Sequence, residues 1–136
     1  MTSPAAQYFR TIWPEVMQSW GFTKTAGRIH ALLLTEDSPL SMDEIIGALD
    51  ISRGGVSTQL KVLQTAEMVE RLSILGQRQD RFAAVQGAEA LQGALIRHWD
   101  RTAVAPLLAM QNTLEALTGK RDNPWHPTIH NMFNHM

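Results

Sequence analysis

The apolar positions in residues 42–49 recur at intervals of three and four, which is the spacing of a helix with one buried face. This face consists of Ile45, Ile46 and Leu49. The polar positions at its start, Ser-Met-Asp-Glu at residues 41–44, fit a capping box, in which the serine and glutamate side chains satisfy backbone N–H groups. The pattern therefore predicts a short helix that begins near Met42 and ends by Asp50.

A second helix is predicted after a short turn. Ile51 supplies an apolar side chain that fills this turn, and Ser52 is a good N-cap residue. The buried stripe of the second helix consists of Val56, Leu60 and Leu63. At about 100° per residue, the opposite stripe holds small, hydroxyl and cationic side chains: Gly54, Thr58, Lys61 and Thr65, with Ser57 beside them. The two helices and their turn predict a helix-turn-helix.

Two stretches with strand character follow the second helix. Residues 69–75 end at Gly76, and residues 81–85 can return as their antiparallel partner. Pro39 and Leu40 lead into the capping box, and we expect them to add a short strand beside this hairpin. A helix-turn-helix followed at once by a hairpin is the element order of a winged helix, in which the hairpin forms the wing.

Helical patterns lie on both sides of this region. In residues 4–20 the apolar positions with helical spacing are Phe9, Ile12, Trp13, Val16, Met17 and Trp20. Pro14 either opens or kinks this helix, because proline lacks a backbone N–H. The next helix is capped by Thr23 or Thr25, and its apolar face consists of Ala26, Ile29, Leu32 and Leu33.

A long helix is predicted after the hairpin. Its apolar face runs for about eight turns and consists of Leu91, Leu95, Trp99, Ala103, Leu107, Met110, Leu114 and Leu117. We expect Pro106 to bend it, because the proline ring displaces a backbone bond to Thr102. We interpret both flanking regions as a dimerisation layer that sets the distance between two second helices. The alternative is that the C-terminal helix folds back on its own monomer, which Pro106 allows.

These patterns predict a mainly α fold with a small β-hairpin wing, an α+β winged helix-turn-helix with N- and C-terminal dimerisation helices. Residues 1–22 form the N-terminal packing helix, and residues 23–86 form the winged helix-turn-helix. Residues 87–119 form the long C-terminal dimerisation helix, and residues 120–136 form a tail.

The outward stripe of the second helix suits the major groove of DNA. A helix inserted there needs short side chains for close approach, hydrogen-bonding groups for base edges and cations for phosphates. The candidate residues are Arg53, Gly54, Ser57, Thr58 and Lys61. The glycines at 54 and 55 each cost about 1 kcal/mol of helix stability relative to alanine, and close approach to DNA would offset that cost. The alternative is an ordinary amphipathic helix whose polar face is solvated.

Arginines cluster on the predicted wing. Arg71, Arg78 and Arg81 lie on or beside its turn, where a guanidinium can clamp phosphates or enter a minor groove. We expect Asp80 to orient an arginine rather than touch DNA. The alternative is a surface ion pair between Arg78 and Asp80, which would contribute little.

Bulk charge does not favour indiscriminate binding to nucleic acid. The formal net charge is −1, and the distribution matters more: residues 51–66 contain two cations and no acid, whereas acids lie on either side. We therefore expect weak non-specific binding, with specific binding dependent on two half-sites held by a dimer. The absence of cysteine excludes disulfides and thiolate metal sites. No signal peptide or membrane span is recognisable, so we expect a cytoplasmic protein without a membrane partner.

Three motifs carry a resemblance to a known family. They are GFTKTAGRI at residues 21–29, SRGGVS at residues 52–57 and GQRQDRF at residues 76–82. From about residue 21 to residue 85 the chain resembles the MarR-like winged-helix bacterial transcriptional regulators, and within them the GbsR-type branch. The resemblance implies a dimeric regulator, usually a repressor, whose helix from Ser52 to Thr65 reads DNA while the wing around Arg78 contacts the backbone or minor groove. Better-known members of this branch respond to osmoprotectants such as choline, but the ligand does not carry over to this chain.

The expected function is that of a sequence-specific regulator of transcription, a repressor that binds double-stranded DNA as a homodimer on a two-half-site operator. No phosphate-binding glycine loop, H-E-x-x-H motif or nucleophile elbow is recognisable, so we expect neither an enzyme nor a cofactor. The alternative is a winged helix that serves as a protein-interaction module, which should expose aromatic or aliphatic anchors on the second helix.

Two further hypotheses concern small ligands. Trp13, Trp20 and Trp99 could hold a quaternary ammonium effector by cation–π attraction, although large aromatic side chains more often form a dimer core. His126, His130 and His135 could form a metal site, but no carboxylate accompanies them, and a tail that packs on the dimer or moves freely is the favoured interpretation. His30 is expected to be a partly buried structural histidine rather than a base.

Overall fold

The computed structural model describes residues 3–118. In this part of the chain the helices are α1 (Pro4–Ser19), α2 (Lys24–Thr35), α3 (Met42–Leu49), α4 (Arg53–Thr65), α5 (Ala88–Trp99), a π-helical turn (Asp100–Val104) and α6 (Ala105–Thr118). The strands are β1 (Leu40–Ser41), β2 (Val69–Leu72) and β3 (Arg81–Ala84). The described residues divide into two compact units, residues 3–97 and residues 98–118. None of the helices in residues 3–118 combines the length and apolar character needed to cross a membrane.

Local capping chemistry determines where the first four helices begin. The side chains of Ser3, Thr23, Ser41 and Ser52 each accept a hydrogen bond from a backbone N–H three residues ahead. At α3 the predicted capping box is complete, because Glu44 also accepts a bond from the backbone N–H of Ser41. Thr23 rather than Thr25 is the cap of α2.

The three strands form an antiparallel sheet in the order β1-β3-β2. The predicted third strand beside the hairpin is therefore confirmed, with Leu40 opposite Phe82. The hairpin strands are shorter than expected, since β2 ends at Leu72 rather than at residue 75 and β3 ends one residue early. Strand pairing stops at Leu72 because a turn follows. In this turn the N–H of Gln77 donates to the carbonyl of Ile74, and Gly76 has a φ of +85°.

The core of the first unit lies around α2 and the buried stripe of α4. Its fully buried side chains include Ile29, Leu32, Val56, Leu60 and Leu63, and Phe82 of β3 also belongs to this core. All three residues of the stripe predicted for the second helix are buried. The winged-helix part of the fold thus places the opposite face of α4 in solvent.

Helices α1 and α2 cross at a very close contact. Pro14 lies inside α1, rather than at its start, and is buried. A Cβ atom added at Gly27 of α2 would lie 2.5 Å from the Cα atom of Pro14. The absence of a side chain at Gly27 is therefore a packing requirement of this crossing.

The second unit begins within α5, at His98. The predicted single helix contains a π-helical turn before Pro106, where the N–H of Ala105 donates to the carbonyl of Asp100, five residues back. A proline ring and its missing N–H disturb the α-helical bonding of the preceding turn, and the wider π turn accommodates this disturbance. Helix α6 contains no buried residue, and Leu107, Met110, Leu114 and Leu117 are all exposed along it.

Candidate nucleic-acid interface

The outward face of α4 is open to solvent. Arg53, Gly54, Thr58 and Lys61 are exposed, and Ser57 is half-buried. The structure therefore brings together the five residues that the sequence placed on one helical face. Within residues 3–118, Lys61 has no hydrogen-bond or ion-pair partner, so its ammonium group is available to a ligand.

The two glycines at the start of α4 have different structural roles. A Cβ atom at Gly55 would lie 3.0 Å from Cγ2 of Ile51, the residue that fills the turn, and 3.2 Å from Oγ of Ser52. Packing inside the helix-turn-helix therefore accounts for Gly55. A Cβ atom at Gly54 would meet nothing within 4 Å, so the fold itself does not require a glycine there.

Neighbouring elements hold α4 in place. The hydroxyl of Thr23, before α2, donates to Oε1 of Gln59 at 2.9 Å. The guanidinium of Arg28 donates to the carbonyl of Leu49 at 2.8 Å, at the end of α3. Asp50 closes α3 in the left-handed conformation, with a φ of 53°. These contacts set the turn between α3 and α4.

Arg53 is not free at the start of α4. Its guanidinium forms an ion pair with Asp43 of α3. The same carboxylate accepts a second hydrogen bond, from Nε2 of Gln79 on the wing, at 2.6 Å. These two bonds, first that of Gln79 and then that of Arg53, hold the pKa of Asp43 below its usual value.

On the wing, Asp80 orients an arginine, as the sequence predicts. The arginine is Arg71, whose Nε lies 2.5 Å from Oδ2 of Asp80, whereas the alternative pairing with Arg78 does not form. Ser73 donates to the other carboxylate oxygen at 2.9 Å. The bonds from Ser73 and Arg71 hold the pKa of Asp80 below its usual value. Arg78 is exposed and has no such partner within residues 3–118.

The placement of Arg81 differs from the sequence expectation. Its guanidinium donates to Glu44 at 2.7 Å, to Oε1 of Gln77 at 2.9 Å and to the carbonyl of Pro39 at 3.3 Å. Nε and Nη1 of Arg81 are thus occupied within the chain, and the bonds of Nη1 join β3 to the start of α3. Arg81 and Arg78 are three residues apart on the same wing, and their different bonding follows only from where the fold places each side chain.

A cleft lies between α3, the start of α4 and the wing. Its volume is about 270 Å³, and its lining includes the guanidinium-bearing residues Arg53, Arg71 and Arg78. Asp43, Gln79 and Asp80 also line it. Sequence reasoning missed Gln79 and treated Asp43 as a flanking acid, because their contact joins positions 36 residues apart.

Two of the three tryptophans proposed for an effector, Trp13 and Trp20, already have partners in the first unit. Trp13 stacks on Phe9 with ring centroids 5.1 Å apart, and Trp20 meets it edge to face at 6.0 Å. Such contact distances leave no room for an ammonium group between Trp13 and Trp20. This arrangement favours the packing interpretation. Trp99 lies in the second unit and is exposed.

The histidines considered for a metal site, His126, His130 and His135, lie outside the described residues. Within residues 3–118 no group of three or more histidines and carboxylates is arranged to hold a metal ion.

Comparison with solved structures finds proteins of similar fold. One protein, described as a transcriptional regulator, is 27% identical, with 95% of this chain and 86% of that chain covered and a TM-score of 0.74. The chain has a winged-helix fold. A MepR variant from a multidrug-resistant S. aureus clinical isolate has the same fold at 14% identity, with 96% and 88% of the two chains covered and a TM-score of 0.51. AbfR of Staphylococcus epidermidis is 19% identical, with 85% and 87% covered and a TM-score of 0.50. No protein-family model and no curated protein matches the sequence.

Proposed function

We propose that this protein is a transcriptional regulator that binds double-stranded DNA in a sequence-specific manner. The observation that carries the proposal is the outward face of α4. On this face Lys61 has no partner among residues 3–118, and a Cβ atom at Gly54 would meet nothing within 4 Å. The similar chain described as a transcriptional regulator supports the same function.

Helix α4 and the wing contact different parts of the DNA. Ser57, Thr58 and Lys61 supply the donors and acceptors that read base edges in a major groove. The guanidinium of Arg78, which has no partner in the part of the chain that the structure describes, contacts phosphates or a narrow minor groove beside that site. Arg53 and Arg71 line the cleft between these two surfaces, where Asp43 and Asp80 are their respective ion-pair partners.

The regulator acts as a homodimer, so that two α4 helices read two half-sites of one operator. The exposed leucines of α6 support this assembly, because a helix with an apolar face and no buried residue gains stability by packing against a second copy. The resemblance to the GbsR-type branch further implies repression, by occupation of the operator.

Selection of bound sequences from a pool of random duplexes tests this function. The expected result is a motif with two related halves, separated by about one helical turn of DNA or a multiple of it. A Lys61→Ala protein should select a different or weaker motif, whereas Arg10→Ala removes the same charge from the α1–α2 pair and should leave the motif unchanged. Recovery of no enriched sequence by the wild-type protein would contradict the proposal.

A protein-interaction module is the second candidate, and one observation favours it. Leu75 on the wing turn is fully exposed, and Ile74 beside it is also exposed. The outward face of α4, however, lacks the aromatic or aliphatic anchors that protein partners bind most strongly. Failure of the duplex selection, together with loss of a protein partner on Leu75→Ser substitution, would favour this second function.

A further inference from the structure

One carboxylate connects three elements of the candidate DNA interface. Asp43 lies at the start of α3, near the capping box. Its Oδ1 is paired with the guanidinium of Arg53, the first residue of α4, and its Oδ2 accepts the bond from Gln79 of the wing. Asp43 is exposed, so solvent can compete for each bond. Both residues that bond to its carboxylate line the same cleft.

The neighbouring residue forms a parallel connection. Glu44 is bonded to Arg81 at the start of β3, while Asp43 is bonded to Gln79 two residues earlier in the wing. Successive residues of α3 therefore hold the base of the wing and the segment that precedes it. Because α3 also leads directly into the turn before α4, these bonds contribute to the distance between the wing and α4, together with the β1–β3 pairing and the buried Phe82.

That distance matters for reading DNA. A helix in a major groove and a wing on the adjacent backbone must engage one duplex together, and each contributes only if the other is correctly placed. A carboxylate has the wrong charge for contact with phosphate, so its position among arginines requires another role.

We propose that Asp43 is a positioning residue for sequence discrimination: it holds the wing and α4 at the spacing needed to contact one duplex, and it keeps Arg53 from binding phosphates indiscriminately. This role rests on the proposed function. Asp43 itself does not touch DNA. It acts through Gln79 and Arg53, and the low pKa of its carboxyl keeps it charged throughout the neutral range.

The role predicts that loss of Asp43 reduces discrimination between operator and random duplex without weakening binding to the random duplex. In Asp43→Ala, Arg53 is released to bind phosphate, so affinity for a random duplex should stay equal or increase, and its dependence on salt should steepen by about one unit. Affinity for the selected operator relative to the random duplex should fall about tenfold, the order of one lost base contact. Asp43→Asn keeps an oxygen that can accept the bond from Gln79 and should show a smaller loss of discrimination.

Two further variants separate the parts of this role. Gln79→Ala breaks the bond to the wing and leaves Arg53 paired, so discrimination should fall without a steeper salt dependence. Asp37→Asn removes the same charge from an exposed position that has no partner within residues 3–118, and both affinities should match the wild-type values. Fluorescence anisotropy over a range of salt concentrations measures each quantity, and thermal melting verifies that every variant is folded.

Three outcomes would overturn the proposal. If Asp43→Ala increases both affinities equally, then Asp43 acts only by repelling the negative charge of DNA. An equal loss in both, with a lower melting temperature, would make its role structural. A wild-type protein with no preferred sequence would refute the proposed function itself, and this result is distinct because it requires no variant.

Discussion

The indole of Trp13 in α1 donates a hydrogen bond from Nε1 to Nδ1 of His30 in α2, over 2.9 Å. An Nδ1 that accepts a bond carries no proton, so the neutral imidazole has its proton on Nε2. That Nε2 is buried and has no partner within residues 3–118. His30 is therefore a structural residue that joins the first two helices, as the sequence led us to expect, although it is fully rather than partly buried.

Burial makes stability depend on pH through His30. Desolvation lowers the pKa of His30 from 6.5 to about 4. Between these values the unfolded chain binds a proton that the folded chain excludes, so folding stability falls as pH drops from above 6.5 toward 4. The free energy of unfolding should decrease by about 3 kcal/mol over this window from His30 alone. Below pH 4 this contribution should change no further.

Urea unfolding at a series of pH values measures the effect, with His30→Asn as the control. An asparagine oxygen can occupy the position of Nδ1 and accept the bond from Trp13, but the side chain does not titrate in this range. The other acids and histidines contribute equally to both proteins, so the difference between their pH slopes isolates His30. Identical slopes would show that His30 is not desolvated.

The close crossing of α1 and α2 predicts that a methyl group added at Gly27 lowers the stability of the fold. Gly27→Ala gains about 1 kcal/mol of helix propensity, but its Cβ atom would lie 2.5 Å from the backbone of Pro14. Forced separation of packed helices typically costs about 1 to 3 kcal/mol or more, so the clash should prevail and the variant should be destabilised.

Gly47→Ala is a matched control for this substitution. Gly47 lies in α3, and a Cβ atom there would meet nothing within 4 Å. Only the propensity gain remains, so the free energy of unfolding should rise by up to about 1 kcal/mol. Both variants should be compared with wild type at one protein concentration, since dimerisation would make stability depend on concentration. An unchanged stability of Gly27→Ala would contradict the close crossing.

Local chemistry explains which parts of this fold were predictable. The starts of α3 and α4 follow from Ser41 and Ser52, whose caps involve residues only three positions away. The buried stripe of α4 follows from its helical spacing, because a single face must pack against the core. The winged-helix order of elements could be predicted because each element has such a local signal.

The candidate site was less predictable because its pairings are long-range. Arg81 lies 37 residues from its partner Glu44, and Gln79 lies 36 residues from Asp43. No periodicity or capping rule connects such positions. The sequence could therefore identify a cluster of wing arginines, but it could not tell that Arg81 bonds within the chain while Arg78 stays exposed.

The different environments of these residues predict different effects on DNA binding. Thr58→Ala or Lys61→Ala on α4 should reduce discrimination between operator and random duplex by about 1 to 3 kcal/mol for each lost base contact. Arg78→Ala should weaken binding to all duplexes alike and reduce the salt slope by about one unit. If Arg78 occupies a narrow minor groove, its loss should instead weaken A·T-rich sites most.

Arg81→Ala serves as the internal comparison. Since Arg81 is bonded to Glu44 and Gln77, its loss should lower the thermal stability of the wing region and leave the salt slope nearly unchanged. Anisotropy titrations at several salt concentrations, with melting curves for each variant, measure these effects. Equal, sequence-independent losses from the α4 and wing variants would contradict the division of roles.

If the apolar face of α6 forms the proposed dimer contact, single charges on this face should dissociate the dimer. Leu107 and Leu114 are 46% and 45% exposed, one face of a helix that buries none of its residues. In a dimer seam, Leu107→Glu or Leu114→Glu would place an unpaired carboxylate in a desolvated contact, which is strongly unfavourable. Sedimentation should show monomers with unchanged secondary structure, and operator affinity should collapse because the half-sites are no longer linked. Asn112→Glu adds the same charge to the opposite side of α6 and should leave the dimer intact. A wild-type protein that sediments as a monomer at micromolar concentration would exclude this assembly, since α6 would then need no second copy to cover its leucines.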